Sequence, residues 1–286
     1  MKWISKTDEF FIGYIPGTGK ETSSFFRKVI IVLGISVALL GVIIASSRQT
    51  FTSNTFEYGI PTTLEGTLFL NPIPHLRIRV DENKSHDSIY QTILLVGVGK
   101  HGALETLKRI ELEKNLSLDG KSVRLNGSLI YGEGKALLQL YEESDVLMVS
   151  QNKVHARKGM LRELGEVTLQ GEIVDPKCYF GVMNPAEGKA HRSCAIRCIS
   201  GGIPPVFHSA EKSDYFLLLG ENLQPLNQEV LNIVGDNISL EGRVFEFDDW
   251  KIVMINTSEL HTLSASAISH RMIAAMETDM TLCGMN

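Results

Sequence analysis

The sequence contains an internal repeat, and a repeat limits the folds open to a chain more than any single motif does. Four short segments of the first half recur in the same order in the second half. The matching segments are 64–66 with 169–171, 93–97 with 216–220, 123–127 with 238–242, and 136–140 with 251–255. From Gly127 to Leu137 and from Gly242 to Ile252 the spacing is 10 positions in each case. The sequence therefore predicts two copies of one domain.

Each copy is rich in β-branched and aromatic residues bounded by Gly, Pro, Asn and Asp, which is the pattern of short strands. In the first copy we place strands at 62–70, 75–81, 89–97, 122–131 and 135–142, with a helix at 103–112. In the second copy we place strands at 166–174, 205–209, 214–220, 237–247 and 250–257, with a short helix at 228–233. Five strands with a helix between the third and fourth resemble the OB-fold, a small Greek-key barrel. We predict a mainly β protein with two OB-like five-stranded barrels, at 61–150 and 165–263; a β-sandwich is the alternative.

An apolar block at residues 29–45 has no charged residue and only one polar side chain, Ser36. About 20 apolar residues cross a bilayer, so we predict a transmembrane helix at 29–47, followed by a linker at 48–60. A buried core helix is the alternative, but the block shows no amphipathic period. Five Lys and Arg residues precede the block and only Arg48 follows it closely. The positive-inside rule then places residues 1–28 in the cytoplasm.

This orientation predicts a single-pass protein of the bacterial inner membrane, with both barrels in the periplasm. Cleavage after residue 45 is the alternative, although the long cytoplasmic lead is unusual for a signal peptide. The net charge of −5 provides no basic excess for binding nucleic acid, so we predict no nucleic-acid partner.

Residues 97–102 match the G-x-G-x-x-G pattern of dinucleotide-binding proteins, and they lie between a predicted strand and a predicted helix. That fingerprint also requires an acidic residue at the end of the next strand, whereas Asp119 precedes the strand. No alternating β–α units follow, and nucleotide cofactors are scarce outside the cytoplasm. We therefore predict no nucleotide site, and we assign these glycines to a tight loop at a barrel rim.

The second copy is longer than the first between its first and third strands. From Gly66 to Gly97 there are 31 positions, but from Gly171 to Gly220 there are 49. The second copy thus has 18 extra residues, and we place them within an insertion at 176–205. Because the loop after the first strand of an OB-fold is one that faces ligands, we expect this insertion to carry the function.

Three of the four cysteines and one histidine lie in this insertion, with the spacing Cys-x12-His-x2-Cys-x3-Cys. The sequence predicts a short helix at 189–200. On this helix His191, Cys194 and Cys198 occupy positions i, i+3 and i+7 and share one face. Cys178 lies upstream and can fold back over that face. One imidazole and three thiols suit a soft metal such as copper or zinc. We therefore predict that Cys178, His191, Cys194 and Cys198 are metal ligands.

Two glycines and two prolines follow the predicted helix, which is a common way to end one. The same glycines, Gly201 and Gly202, would let backbone N–H groups approach a bound ion or cofactor, so we assign them to cofactor binding.

Other chemistry remains open for the same cysteines. A structural disulfide from Cys178 to Cys194 or Cys198 suits an oxidising compartment. A thiol–disulfide oxidoreductase with Cys194 or Cys198 as nucleophile is a further reading, because basic residues lie nearby. The spacing is neither Cys-x-x-Cys nor the haem-attaching Cys-x-x-Cys-His. We find no catalytic triad, paired carboxylates or zincin motif, so we assign no catalytic residue.

The insertion also resembles a block in uncharacterised membrane-anchored bacterial proteins. The shared positions are Gly171, Asp175, Lys177, Cys178, Gly181, Met183, Pro185, Gly188, Lys189, His191, Cys194, Ala195, Cys198, Gly201, Gly202, Pro204 and Pro205. This resemblance implies a shared site. The layout of one N-terminal anchor and an outward OB barrel is similar to that of the haem chaperone of cytochrome c maturation. That protein has one barrel and a different haem-attaching segment, so we favour copper or zinc over haem.

The C-terminal tail at 264–286 contains Met272, Met276 and Met280 at helical spacing. Packing against a barrel is the expected role of such a stripe, and binding of Cu(I) is the alternative. Together the sequence predicts a non-enzymatic periplasmic protein that binds a metal or cofactor and serves a membrane redox or electron-transport complex. The alternatives are a thiol–disulfide oxidoreductase and a disulfide-stapled assembly subunit.

Overall fold

The computed structural model of this protein describes residues 20–47, 54–80, 90–141, 146–148, 161–181, 183–210, 214–256 and 258. Its first element is helix α1, Lys20–Ser47, which belongs to a unit separate from the barrels. The span Thr22–Ser46 of this helix is long and apolar enough to cross a membrane, and none of its apolar window is buried inside the protein. The helix begins at Lys20, so the end of the predicted segment 1–28 is helical as well.

The first copy of the repeat forms a closed barrel. Its elements are β1 Thr55–Phe56, β2 Thr62–Phe69, β3 His75–Arg79, β4 Tyr90–Val96, α2 Leu104–Lys114, β5 Lys121–Gly132, β6 Lys135–Leu140 and β7 Val146–Met148. Strands β2, β3, β4, β6 and β5 close the ring in that order, and only β4 and β6 are parallel. Strands β1 and β7 lie outside the ring and pair with β5. Because β1 falls within the predicted linker 48–60, the ordered domain begins earlier than we predicted.

The second copy forms a closed barrel of the same type. Its elements are β8 Arg162–Val174, α3 Pro176–Tyr179, α4 Gly188–Ser200, β9 Val206–Ser209, β10 Tyr215–Gly220, β11 Ile238–Phe247 and β12 Trp250–Ile255. Strands β8, β9, β10, β12 and β11 close the ring, and β10 and β12 are parallel. The predicted helix at 228–233 is wrong. There the N–H groups of Leu231 and Ile233 bond three residues back, which gives turns instead of an α-helix.

The repeat extends to individual strand pairs. Leu64 pairs with Leu125 in the first barrel, and the matching Leu169 pairs with Leu240 in the second. The parallel strands agree as well, since Leu94 is opposite Leu137 and Leu217 is opposite Ile252. The two copies therefore share both their topology and their register, and the prediction of two OB-like barrels is confirmed.

A glycine at the same position of each first strand allows that strand to approach its neighbour closely. A Cβ atom on Gly66 would lie 2.7 Å from the carbonyl oxygen of Arg77, and one on Gly171 would lie 2.0 Å from that of His208. Both distances are shorter than any tolerated contact, so only glycine fits at this bend of the strand.

Three buried clusters stabilise the two barrels. One consists of first-barrel residues around Leu68 and Leu107, and another consists of second-barrel residues around Phe207 and Val253. The third draws on both barrels and contains matching residues of the parallel strands, Leu94 with Leu217 and Val96 with Leu219. The outward faces of the two parallel strand pairs therefore contribute to one shared core.

Polar contacts between the barrels follow the same symmetry. Glu133 and Asp248 occupy equivalent hairpin turns, and each accepts a hydrogen bond from the other barrel. The Tyr215 hydroxyl donates to Glu133, and the Thr92 hydroxyl donates to Asp248 at 3.1 Å. Thr92 and Tyr215 are themselves equivalent positions of the repeat. The two copies thus meet through matching residues, as the subunits of a two-fold dimer do.

Candidate metal centre

The insertion predicted at 176–205 lies between β8 and β9 of the second barrel and contains both of its helices. Helix α3 begins after Asp175, whose Oδ1 accepts a 2.9 Å hydrogen bond from the Lys177 N–H, with Pro176 in the first turn. This is a standard N-cap, because the carboxylate satisfies an N–H group that has no partner within the helix. Helix α4 covers the predicted helix 189–200. It ends at Gly201, and Gly202 has a φ of +98°.

The structure brings the three cysteines of the insertion together. Their sulfur atoms all lie within 4.8 Å of one another. Cys194 and Cys198 lie one turn apart on α4, and Cys178 comes from α3. All three are free thiols in the structure. Cys198 is 2% exposed, whereas Cys178 and Cys194 are half-buried. These positions form a sulfur cluster of Cys178, Cys194 and Cys198.

His191, the fourth predicted ligand, is not part of the three-cysteine group. It forms a second group with Cys178 and Asp175, in which the three ligand atoms also lie within 4.8 Å of one another. Sequence reasoning missed Asp175 as a ligand candidate. Its place before Pro176 indicates an N-cap, and a cap uses only one of the two carboxylate oxygens.

The ionisation of these groups depends on burial and on their neighbours. The pKa of the Cys178 thiol is raised by its hydrogen bond with Cys198, by burial and by the negative charge of Asp175. Burial lowers the pKa of His191, which Asp175 partly offsets and Lys100 reinforces. A neutral imidazole is the form that binds metals. A cation at Cys178 would stabilise the thiolate that the surroundings otherwise disfavour.

Two lysines place positive charge beside the sulfur cluster. The Lys100 ammonium donates to the Cys194 sulfur at 3.3 Å, and this hydrogen bond raises the pKa of Lys100. The Lys177 ammonium donates to the carbonyl oxygens of Gly97 and Gly99 at 2.7 Å and 2.6 Å. Burial lowers the pKa of Lys177, and the charge of Asp175 opposes that shift.

The loop at residues 97–102, which matches the dinucleotide pattern, contacts the insertion directly. The Gly102 N–H donates to the Gly201 carbonyl oxygen at 2.9 Å. A Cβ atom on Gly201 would lie 1.9 Å from the Lys100 carbonyl oxygen, and one on Gly102 would lie 2.2 Å from the Gly202 carbonyl oxygen. The glycines of both segments therefore allow two backbones to meet. For Gly201 and Gly202, which we assigned to cofactor binding, the close approach in the structure is to this loop of the first barrel.

A carboxylate–imidazole group lies where the insertion meets strands β8 and β9, and it was not predicted. Glu172, Glu187 and His208 have ligand atoms within 4.8 Å of one another. Their contacts attach the insertion to the barrel, since Glu172 accepts from the Gly188 N–H at 2.7 Å and His208 lies 3.5 Å from Glu187. Of the three residues, only His208 stands out in the sequence, because it lies shortly after Pro205. No sequence pattern indicates Glu172 or Glu187 as a site residue, since Glu172 lies in a strand and Glu187 in a loop.

The fourth cysteine, Cys283, and the methionines of the predicted C-terminal stripe lie outside the described residues. No family model, curated protein or solved structure matches this chain with significance.

Proposed function

We propose that this protein binds a soft metal ion, copper(I) or zinc, through the sulfur cluster of Cys178, Cys194 and Cys198. The observation that carries the proposal is the approach of three sulfur atoms to within 4.8 Å of one another. A zinc–sulfur bond of about 2.3 Å separates the sulfurs of a tetrahedral site by about 3.8 Å. The sulfur separations of at most 4.8 Å exceed this value by no more than about 1 Å.

The charges around the cluster also favour a thiolate complex. Three thiolates with Zn(II) carry a net charge of −1, and with Cu(I) a net charge of −2. The Lys100 ammonium already contacts the Cys194 sulfur, and Lys177 lies next to Cys178 in the sequence. Such cations lower the free energy of a buried anionic complex, because an uncompensated charge in the interior is costly.

Around a tetrahedral zinc ion, three sulfur ligands leave one coordination position for another molecule, which suits a carrier more than a purely structural site. Delivery of the ion to a membrane redox complex, or electron exchange with one, is the role that we infer. The helix Thr22–Ser46 supports a membrane location for such a role. In this proposal haem is less suitable than copper or zinc, because the cluster offers compact sulfur ligands.

Metal analysis of the purified full chain in detergent, after loading with Zn(II) or Cu(I), tests the proposal. We expect one equivalent of metal at the sulfur cluster, and loss of that equivalent in Cys194→Ser and in Cys198→Ser. Cys283→Ser is the matched control, because it removes a cysteine outside the insertion. Unchanged metal content in the Cys198→Ser variant would count against the proposal.

A thiol–disulfide oxidoreductase is the second candidate, and one observation favours it. Cys194 is half-buried and bonded to the Lys100 ammonium, while the Cys178 and Cys198 thiols lie close enough to form a disulfide with it or with each other. Thiol–disulfide exchange requires an accessible sulfur with a second thiol beside it, and this group of cysteines provides both. If no metal is bound and a labile disulfide forms among these cysteines, this second candidate replaces the first. A disulfide that resists reduction would instead support the role of an assembly subunit.

We also propose that the barrels lie in the periplasm of a bacterium, with residues before α1 in the cytoplasm. The support is the excess of Lys and Arg before the apolar helix. Protease added to intact spheroplasts should then digest the region after residue 50, provided that the protease is broad enough to cleave compact barrels. Protection of that region in spheroplasts, with digestion after lysis, would reverse the orientation.

A further inference from the structure

We propose a second cation site in the insertion, formed by Asp175, Cys178 and His191, in which Cys178 is shared with the sulfur cluster. This inference rests on the proposed function, because it adds a neighbouring ion to the same site. The three ligand atoms lie within 4.8 Å of one another, and none of the three residues is exposed.

The first support comes from the Asp175 carboxylate, which is 0% exposed. Its Oδ1 caps helix α3, whereas its Oδ2 is buried and makes no hydrogen bond of ordinary geometry, although the Cys178 thiol interacts with this carboxylate. A buried carboxylate oxygen without a partner is costly and rare, and it calls for a compensating group. The N-cap alone does not require this arrangement, because a serine or asparagine would cap the helix without burying a charge.

The second support comes from His191, which is 4% exposed. Its Nε2 atom is likewise buried without a hydrogen-bond partner. An Asp–His hydrogen bond would satisfy both atoms at once, but the structure leaves both of them unpaired. A cation between them would serve as the common partner of the two atoms and of the Cys178 sulfur.

Lys177 is another group whose positive charge could compensate the Asp175 carboxylate. Its charge acts on Asp175, but its ammonium group donates to the carbonyl oxygens of Gly97 and Gly99. Lys177 therefore offsets part of the negative charge without occupying the space beside Asp175 Oδ2.

The ligand atoms indicate the chemical class of the ion. One oxygen, one nitrogen and one sulfur suit a borderline divalent cation such as Zn(II) or Co(II), whereas Mg(II) and Ca(II) prefer oxygen ligands. Two ions in a shared site typically lie about 3.5–4 Å apart. A thiolate of Cys178 that bridges them is compatible with the overlap of the two ligand groups, since Cys178 is common to both.

Titration of the reduced full chain in detergent with Co(II) tests this inference, because thiolate ligation of Co(II) gives strong charge-transfer absorption. We expect two equivalents of Co(II) in the wild type and one in Asp175→Asn, which keeps the oxygen that caps α3. His191→Ala should also retain one equivalent. Asp214→Asn changes a half-buried aspartate of the same barrel that lies outside the insertion and pairs with Lys251; it is the matched control and should retain two.

A magnetic measurement provides an independent readout. Two Co(II) ions that share a thiolate are spin-coupled, so the paramagnetic resonance of the wild type should be weaker than that of two isolated ions. In Asp175→Asn the signal of a single uncoupled ion should appear instead.

The outcomes separate this inference from the proposed function. One equivalent in the wild type, lost in Cys198→Ser and unchanged in Asp175→Asn, overturns the second site while the sulfur cluster stands. One equivalent lost in both Cys198→Ser and His191→Ala indicates a single shared site and also overturns it. Absence of Co(II) and Zn(II) binding, together with absence of Cu(I) binding, overturns both proposals.

Discussion

Arg77 of the first barrel binds Asp248 of the second barrel through two parallel hydrogen bonds, from Nε to Oδ2 and from Nη2 to Oδ1, each 2.7 Å long. The two side chains are only 10% and 9% exposed. The guanidinium also lies 3.8 Å from the centre of the Tyr90 ring. Because removal of one partner leaves the other charge buried without compensation, this pair is a sensitive point in the attachment of the two barrels.

Asp248→Asn should therefore lower the free energy of unfolding by about 3 kcal/mol. Asparagine tolerates the φ of +51° at this turn, so the loss reports the charge and not the backbone. Thermal or urea unfolding of the full chain in detergent, followed by circular dichroism of the barrels, measures it. The control is Glu246→Gln, which breaks the exposed Arg162–Glu246 pair and should cost less than about 1 kcal/mol. Equal losses of unfolding free energy in the two variants would contradict our interpretation that the Arg77–Asp248 pair is a sensitive buried contact.

Gly201→Ala should destabilise the contact between the insertion and the first barrel. The added Cβ would lie 1.9 Å from the Lys100 carbonyl oxygen, so one backbone must move, at a cost of about 1–3 kcal/mol. Gly220→Ala is the control, since its nearest neighbour is the Asn222 side chain at 3.1 Å. Unfolding measurements should give a clearly lower free energy of unfolding for Gly201→Ala than for Gly220→Ala. If the metal affinity also falls only in Gly201→Ala, the position of the loop affects the sulfur cluster.

The three cysteines should react with iodoacetamide at different rates. Cys194 is half-buried, whereas Cys198 is 2% exposed and Cys178 has a raised pKa that keeps its thiol protonated. We expect Cys194 to be alkylated at least about tenfold faster than Cys198, because only accessible thiolates react readily. Peptide mass spectrometry separates these sites from Cys283. Bound Zn(II) should slow all three reactions, and a Cys198 that reacts first would be inconsistent with the observed burial.

Glu172 should make the stability depend on pH in the acidic range. Burial raises its pKa above the ordinary 4.5, the hydrogen bond from the Gly188 N–H opposes that shift, and Glu187 and Asp236 add to it. The folded protein thus holds this proton more tightly than the unfolded chain does. Its contribution to stability is greatest at low pH and is lost as the pH rises from 4.5 through the folded-state pKa.

The variant Glu172→Gln keeps an oxygen that can accept from the Gly188 N–H but cannot ionise. We expect it to reduce this decline of stability with rising pH, as measured by unfolding between pH 4 and pH 7. Glu166→Gln, an exposed position on the same strand, should leave the pH dependence unchanged. A Glu172→Gln profile identical to that of the wild type would show that the carboxylate titrates normally.

Much of the fold was predictable because the repeat fixes equivalent strands in both copies. The alignment of Leu64 with Leu169 and of Leu94 with Leu217 holds in the structure, where the aligned residues have equivalent strand partners in the two barrels. Strands with a clear alternation of apolar residues were found, whereas the two-residue strand β1 was too short to leave a pattern. The helix at 228–233 was overpredicted because apolar residues in successive turns imitate helical spacing.

The candidate site was predictable only in part. The positions of Cys194 and Cys198 follow from the period of one helix, so local spacing was sufficient. Lys100 was not foreseen, because it comes from the other copy of the repeat, 94 positions away from Cys194. Local sequence carries no information about such a contact. Asp175 was missed for a different reason, since one oxygen has an ordinary capping role and the exceptional burial of the other depends on tertiary packing.

The loop at residues 97–102 belongs to the first barrel and contacts the insertion of the second. The surroundings of the sulfur cluster therefore come from both barrels, although its three cysteines all belong to the second. Any hinge-like opening between the domains withdraws the Lys100 ammonium from Cys194 and breaks the hydrogen bond between Gly102 and Gly201. If the cluster binds the proposed ion, that binding and the contact between the barrels are thermodynamically linked. By mass action, an ion present at a hundred times its dissociation constant adds about 2.7 kcal/mol to the closed arrangement if it binds that arrangement alone. By the same linkage, a partner that separated the barrels would lower the affinity of the cluster for the proposed ion.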